Sequence, residues 1–126
     1  MSDRGPRTMT GDALEVLRQR LRAFASERDW ERFHSPKNLS MALAAEAAEL
    51  LEEFQWLTEE QSRTLDPVKL ERVRREIADV LLYLVRLADV LDVDLPAAAD
   101  EKIALNARKY PAERVKGDAR KYTEYD

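Results

Sequence analysis

Apolar residues recur at spacings of three and four in four segments of this chain, which is the pattern of amphipathic α-helices. The pattern predicts helices over about 12–28, 36–57, 67–91 and 96–109. Ser35 before Pro36 and Asp66 before Pro67 are favourable helix starts, because Ser and Asp cap a helix and Pro is tolerated in its first turn. Tyr110-Pro111 is expected to end the fourth helix, since the residue before a proline avoids helical geometry.

Four helices joined by short loops predict an all-α fold, specifically a four-helix antiparallel bundle. We expect residues 1–126 to form a single domain with a helical core over about 10–111. We expect a mobile N-terminus at 1–9 and an extended tail at 112–126. Long apolar stripes on so small a chain predict that part of them is buried in a homo-oligomer, a homodimer or a homotetramer.

Composition narrows the class of protein. The formal net charge is -4, which argues against a nucleic-acid partner. The chain has no Cys, which excludes disulfides, zinc thiolate sites and cysteine nucleophiles, and its 3 Gly argue against an all-β fold. The central apolar run from Val80 to Val85 is too short to cross a membrane, and residues 1–10 lack the apolar stretch of a signal peptide. We therefore expect a cytoplasmic protein with no membrane partner.

Two pairs of acidic residues interrupt the apolar stripes of the second and third helices. A helical residue advances by about 100°, which places Glu46 at the centre of its stripe and Glu49 about 60° away. On the third helix Glu76 shares a face with apolar residues, and Asp79 is its three-residue neighbour. The neighbours on these two faces are Leu39, Leu43, Leu50 and Leu57, and then Val73, Val80, Tyr83 and Leu87. Each helix therefore brings an acidic pair to, or beside, the face that should be buried.

Four converging carboxylates need a counter-charge, because an ionised carboxylate is costly to bury alone. Oxygen ligands without His or Cys favour a hard cation, so these residues predict a Mg²⁺ site in which Mn²⁺ can substitute. A solvated or arginine-paired acidic face is the ordinary alternative. A di-iron site requires a Glu-x-x-His on each of two helices, whereas this chain has a single Glu31-x-x-His34 ahead of a proline.

The acidic pairs belong to an ordered set of motifs that covers about residues 23–123. The set comprises Asp29-Trp30, His34, Pro36, Asn38-Leu39, Glu46-x-x-Glu49, Phe54-Gln55-Trp56, Glu76-x-x-Asp79-Val80-Leu81-x-Tyr83-Leu84, Val93-Asp94-Leu95-Pro96, Lys102, Asn106, Tyr110-Pro111 and Lys121-Tyr122-Thr123. This set resembles the all-α MazG-like nucleoside triphosphate pyrophosphohydrolases, and among them the dCTP pyrophosphatase branch. Two positions depart from the pattern. Ala45 replaces the first of two adjacent glutamates, and Leu21 stands where that branch can carry a base-contacting histidine.

The resemblance implies hydrolysis of a (deoxy)nucleoside triphosphate to the monophosphate and pyrophosphate, as in cleaning of the nucleotide pool. It implies dCTP or a modified pyrimidine triphosphate as the preferred substrate, although Leu21 leaves the base preference open. Carried over by position, the catalytic and metal-holding residues would be Glu46, Glu49, Glu76 and Asp79. Glu49 is our candidate for the group that takes the proton of the attacking water, with Glu46 and Glu53 as alternatives.

Aromatic residues near the acidic pairs are candidates for holding the nucleotide. Tyr83 lies within about 20° of Glu76 on its helix, so it faces the predicted site. From the residues alone, Trp30 and Trp56 are more readily core residues. The resemblance implies instead that they stack on the base.

Polar residues late in the chain are candidates for binding the phosphates. Lys102, Asn106 and Lys109 share one face of the fourth helix, which either binds the outer phosphates or forms a solvated face. The resemblance implies that Lys121 and Tyr122 belong to a tail that folds over a site.

Two alternatives to this function stay open. The chain could be a broader NTP or dUTP pyrophosphohydrolase. It could also be a non-catalytic helical oligomerisation module, in which Arg72, Arg75 or Arg86 of another helix pairs with the acidic faces.

Overall fold

A computed structural model of the chain describes residues 11–117, and every regular element in this range is helical. The elements are α1 (Gly11–Glu27), a 3-10 turn (Glu31–Phe33), α2 (Pro36–Glu52), α3 (Glu59–Ser62), α4 (Pro67–Val90), α5 (Leu95–Lys109) and α6 (Ala112–Val115). The predicted all-α fold is confirmed, and α1, α2, α4 and α5 are the four expected long helices.

Side-chain caps start three of the long helices where the sequence indicates. Ser35 accepts a hydrogen bond from the backbone N–H of Asn38, and Asp66 accepts one from Lys69. Asp94 does the same for α5. Each cap satisfies a backbone donor that the first helical turn leaves without a partner, which fixes where the helix begins.

The structure corrects two boundaries. α2 ends at Glu52 rather than Leu57, because the following backbone turns tightly and a new helix starts at Thr58. Thr58 and Gln61 cap each other's backbone N–H groups, so the single turn α3 forms where a plain loop was predicted. Residues Ala112–Val115 form one helical turn rather than extended chain, after Pro111 with φ of -57°.

The described chain forms two compact units, residues 11–93 and residues 94–117. In the first unit α4 packs against both α1 and α2. Glu53 just after α2 pairs with Lys69 near the start of α4. Arg18 in the middle of α1 pairs with Asp89 near the end of α4, and Phe24, later in α1, lines a pocket with Asp79, earlier in α4. Both neighbours therefore run antiparallel to α4.

Few side chains of the first unit are fully buried, and they lie on the helix faces that meet around α4. This small core consists of Ala25, Leu39, Val73, Val85 and Ala88. The second unit contains α5, α6 and the turn that joins them, in which the backbone N–H of Tyr110 donates to Asn106 at 2.8 Å.

One side of α4 leaves a row of large apolar side chains exposed. Leu70, Ile77 and Leu84 are 53%, 53% and 40% exposed, and Leu91 at the C-terminal cap is 52% exposed. Positions seven apart share one helix face, so these residues form a continuous apolar stripe, the α4 stripe. None of the helices within residues 11–117 has the length and apolar character needed to span a membrane.

Candidate functional site

The acidic residues of α2 and α4 converge as the sequence predicts. Glu46, Glu49 and Glu76 each offer a carboxylate oxygen, and these three oxygens lie within 4.8 Å of one another. Glu46 and Glu76 are half-buried, and Glu49 is exposed. Asp79 lies one turn further along α4, half-buried, and its charge acts on both Glu46 and Glu76. The antiparallel packing of α2 on α4 brings the two pairs together.

The carboxylates of this cluster disfavour one another's ionised form. Burial, together with hydrogen bonding to and repulsion by Glu49, raises the pKa of Glu46 to about 7. Burial raises the pKa of Glu76 as well, followed by repulsion from Glu49 and Asp79. Within residues 11–117, Glu46 Oε2 and Glu76 Oε2 are buried and make no hydrogen bond.

A buried carboxylate oxygen without a partner is costly, and a divalent cation would remove that cost at both atoms. Carboxylate oxygens at this separation suit a hard cation of the Mg²⁺ type. The residues present therefore fit the predicted metal, with Glu46, Glu49 and Glu76 as the ligand set and Asp79 beside it.

The arginines that could have neutralised the cluster pair with other carboxylates. Arg72 pairs with Glu53, and Arg75 pairs with Glu71. Arg86 pairs with Asp89. These three arginines therefore do not neutralise the acidic cluster, as the arginine-paired alternative from the sequence would require.

Glu53 has a different role from its neighbours. Hydrogen bonds from Lys69 and Arg72 lower its pKa, and both basic groups lie 3.2 Å from Glu53 Oε1. A carboxylate held by two cations is a poor proton acceptor, so Glu53 is the weakest of the three candidates for the general base. It links the end of α2 to the start of α4 instead.

An open pocket of about 180 Å³ lies beside Asp79 in the first unit. Its lining is mainly apolar and aromatic, with a few polar groups. The lining residues are Leu21, Phe24, Ala25, Trp30, His34, Asp79, Leu82, Tyr83 and Arg86. A concave, mainly apolar pocket with a few polar groups is the usual form of a small-molecule site.

Local backbone geometry places Trp30 at this pocket. Asp29 has a φ of 54°, and the N–H of Trp30 donates to the carbonyl of Ala25 at 2.9 Å. This left-handed residue ends α1 and folds the chain back over the helix. Trp30 packs edge-to-face on Phe24 and stays 44% exposed, so it is a pocket wall rather than a core residue.

The structure distributes the other predicted binding residues unevenly. Tyr83 lines the pocket as predicted, one turn after Asp79. Trp56 lies in the turn after α2 and is 87% exposed, which excludes a core role. In the second unit, Lys102 and Asn106 are exposed on α5 and Lys109 is half-buried. Lys121 and Tyr122 lie outside the described residues.

Phe24, His34 and Arg86 are pocket residues that were not predicted as site residues. Arg86 follows Asp79 by seven positions and Tyr83 by three, so helical spacing alone places it on the same face. The sequence feature that could have identified Arg86 is a basic residue on an otherwise apolar helix face. His34 stood in the family motif set but had no assigned binding role, because a long-range contact brings it to the pocket.

The fold and the site together define a class of protein. Its members are α-helical, and carboxylates of two antiparallel helices form a candidate metal site beside an apolar pocket. The chain belongs to the MazG-like family, which matches residues 41–125. The predicted resemblance to this family is therefore confirmed.

Individual relatives agree with this assignment. Human dCTP pyrophosphatase 1 is 45% identical over 113 residues, which are 88% of this chain and 66% of the human protein. The bovine dCTP pyrophosphatase 1 is 42% identical over 123 residues, 95% of this chain and 73% of the bovine protein. This chain thus spans about two thirds of the length of these relatives. A pyrophosphatase structure from Archaeoglobus fulgidus superposes with a TM-score of 0.74 at 37% identity, covering 84% of this chain and 98% of that one.

Proposed function

We propose that this chain hydrolyses a nucleoside triphosphate to the nucleoside monophosphate and pyrophosphate, with dCTP or a modified pyrimidine dNTP as the preferred substrate. The carboxylate cluster of α2 and α4 is the observation that carries the proposal, since two of its buried oxygens have no hydrogen-bond partner among the described residues 11–117. The human and bovine relatives, both named dCTP pyrophosphatase 1, support the choice of substrate.

Glu46, Glu49, Glu76 and Asp79 would hold Mg²⁺, with Mn²⁺ as a substitute. A divalent cation bound there supplies charge neutralisation of the triphosphate and stabilisation of the charge that develops in the transition state. Glu46 and Glu76 are half-buried, and their environment disfavours an ionised carboxylate without a counter-charge, so both are suited to hold the cation.

Glu49 is the group we assign to proton transfer. Its carboxylate is exposed at the edge of the cluster and offers only one oxygen to the cation site, so its second oxygen is open to a water molecule, whereas Glu53 is already neutralised by Lys69 and Arg72. As the water oxygen attacks the α-phosphorus, Glu49 takes its proton and the bond from that phosphorus to the bridging oxygen of pyrophosphate breaks. Pyrophosphate leaves, and the monophosphate remains.

The base would occupy the pocket beside Asp79. Trp30 and Tyr83 provide aromatic surface there, and stacking of a base on an aromatic ring contributes about 1–3 kcal/mol. Trp56, with its side chain almost fully exposed, is available to a ligand or to another subunit. We propose that Lys102, Asn106 and Lys109 of α5 bind the phosphates, and that Lys121 and Tyr122 belong to a tail that contributes to substrate binding.

We also propose that the chain works as a homodimer or homotetramer. The exposed α4 stripe supports this, because an apolar row along one helix is the surface that a helical partner covers. A cytoplasmic location and the absence of a nucleic-acid partner stay predictions.

A product assay tests the enzyme. The purified chain is incubated with Mg²⁺ and each canonical or 5-modified (deoxy)nucleoside triphosphate, and the products are separated by anion exchange. Monophosphate plus pyrophosphate is expected, ranked by base, and Glu76→Gln should abolish it. Glu71→Gln is the matched control, because Glu71 lies on the same helix and, within residues 11–117, its ion pairs are with the exposed side chains of Arg74 and Arg75.

The assay separates the remaining alternatives. Comparable turnover of all triphosphates, or a preference for dUTP, would favour the broader or dUTP enzyme. No turnover with either metal, together with no change of melting temperature when metal is added, would favour the non-catalytic module.

A further inference from the structure

A buried ionic cluster supports one wall of the pocket. The side chain of Asp89 on α4 is only 3% exposed, and it accepts hydrogen bonds from Arg18 at 2.7 Å, Arg22 at 2.5 Å and Arg86 at 2.9 Å. Burial alone would raise the pKa of Asp89, but the hydrogen bonds from Arg22 and Arg18 outweigh it, and its pKa is lowered. Asp89 therefore stays ionised and fixes the position of the Arg86 guanidinium, which is itself buried.

Arg86 directs a second nitrogen of its guanidinium at the only histidine of the chain. Its Nε donates to His34 Nδ1 at 3.0 Å. An arginine has donors only, so Nδ1 of His34 must be the unprotonated, accepting nitrogen. His34 is consequently neutral, and its ring hydrogen is on Nε2. Burial, followed by the nearby charge of Arg86, lowers the pKa of His34 and supports the neutral form.

A second contact restrains the ring of His34, which packs edge-to-face on Trp30 with centroids 6.5 Å apart. Its main chain is held separately, because the backbone N–H donates to the carbonyl of Glu31 at 3.1 Å. The ring also lines the pocket, and because Nδ1 is engaged by Arg86, Nε2 is the ring nitrogen whose hydrogen is left for a ligand. Fixing a donor in advance reduces the entropy lost on binding and makes the contact selective.

We propose that Arg86 is a positioning residue which locks His34 as an Nε2–H donor, and that this donor selects cytosine over uracil by reading the ring nitrogen N3. The proposal rests on the function proposed above, because it takes the nucleobase as the occupant of the pocket. Cytosine N3 is an acceptor, whereas uracil carries a hydrogen there. A fixed donor therefore matches cytosine and opposes uracil, and a site built on a hydrogen bond rejects a ligand that cannot complete it.

Substitution of Arg86 tests the positioning role through selectivity. In Arg86→Met the imidazole is free to move its hydrogen to Nδ1, so Nε2 becomes able to accept from uracil N3–H. The ratio of kcat/KM for dCTP over dUTP should fall about tenfold or more, with part of the change a gain on dUTP. His34→Gln, which keeps an amide donor near the position of Nε2, should retain more of the selectivity than His34→Leu.

Arg22→Met is the matched control for these kinetics. It removes a different arginine from the same Asp89 carboxylate and leaves the contact between Arg86 and His34 in place. Its selectivity should equal that of the wild type. Equal losses on dCTP and dUTP in Arg86→Met would reduce Arg86 to a structural role and overturn the proposal.

A spectroscopic measurement tests the proposal even if turnover is absent. Because the chain has one histidine, ¹⁵N ring labelling of a protein without an affinity tag reports on His34 alone. We expect Nδ1 unprotonated and Nε2 protonated at neutral pH, a tautomer mixture in Arg86→Met, and a shift of the Nε2 signal with dCMP but a smaller one with dUMP. A protonated Nδ1 in the wild type, or equal shifts with both nucleotides, would overturn it. Failure of the proposed function would appear separately, as no turnover of any triphosphate.

Discussion

Glu46 carries a proton over a pH range in which an ordinary glutamate has lost it. Its pKa rises from 4.5 to about 7 in the folded protein, first because of burial and then because of Glu49. Between these two values the folded state binds more protons than the unfolded state, so the free energy of unfolding falls as pH rises. The contribution is complete below about pH 4.5 and lost above about pH 7.

This titration gives a prediction for the metal-free protein. In the presence of a chelator, the melting temperature of the wild type should fall relative to that of Glu46→Gln as the pH rises from about 5 to 8. With Mg²⁺ present, the melting temperatures of the two proteins should no longer differ in their dependence on pH, because the cation stabilises the ionised carboxylates. Thermal denaturation in matched buffers measures this. Parallel pH profiles of the two chelated proteins would contradict it.

Asp89 illustrates the cost of breaking a buried ionic cluster. Asp89→Asn leaves Arg86 buried without its counter-charge, and removing one partner of a buried pair typically costs about 3–5 kcal/mol. The variant should therefore unfold at markedly lower urea concentration. Glu15→Gln is the control, since Glu15 pairs with the same Arg18 on the exposed side of α1 and should leave the midpoint unchanged. Similar urea midpoints for Asp89→Asn and Glu15→Gln would show that the buried cluster around Asp89 does not stabilise the fold.

At the scale of elements, capping determines where α4 begins. Asp66 accepts a hydrogen bond from the N–H of Lys69 at 2.8 Å, and loss of such a cap costs about 1 kcal/mol. Asp66→Ala should lower the free energy of unfolding by about that amount, whereas Asp66→Asn, which keeps an accepting oxygen, should lower it less. Urea denaturation compares the three proteins. Equal losses for Ala and Asn would show that the cap is not the cause.

The long helices were predictable and the short ones were not. Ser35-Pro36 and Asp66-Pro67 mark the start of α2 and α4, because a capping side chain and a proline act within one turn. The end of α2 depended on a competing start at Thr58, whose capping box with Gln61 favours a new helix over continuation of the old one. Such competition is decided by small differences in local hydrogen bonding, which the apolar pattern does not report.

For the whole molecule, the α4 stripe should be an interface between copies of the chain. Leu84→Arg places a charge in the stripe and should dissociate the oligomer, because burying an unpaired charge is costly. Val68→Arg is the control, since Val68 is 68% exposed on the same helix but lies about 200° around the axis from Leu70. Sedimentation velocity measures the outcome. A wild-type monomer, or dissociation of both variants alike, would contradict the prediction.

The sequence by itself determined the all-α fold, the long helices and the convergence of Glu46, Glu49 and Glu76. These features follow from the helical repeat, which fixes the residues that share a face, and from the need to pack apolar faces together. The same repeat placed Tyr83 beside the acidic residues.

Only the tertiary structure decided which charges are paired and which are left for a ligand. Glu53 and Glu46 look alike in the sequence, yet Glu53 is held by Lys69 and Arg72, while one oxygen of Glu46 is buried with no partner in the part of the chain that the structure describes. The contact between Arg86 and His34 joins residues 52 positions apart. Partners of this kind depend on how the helices dock, so the helical repeat within each segment carries no information about them.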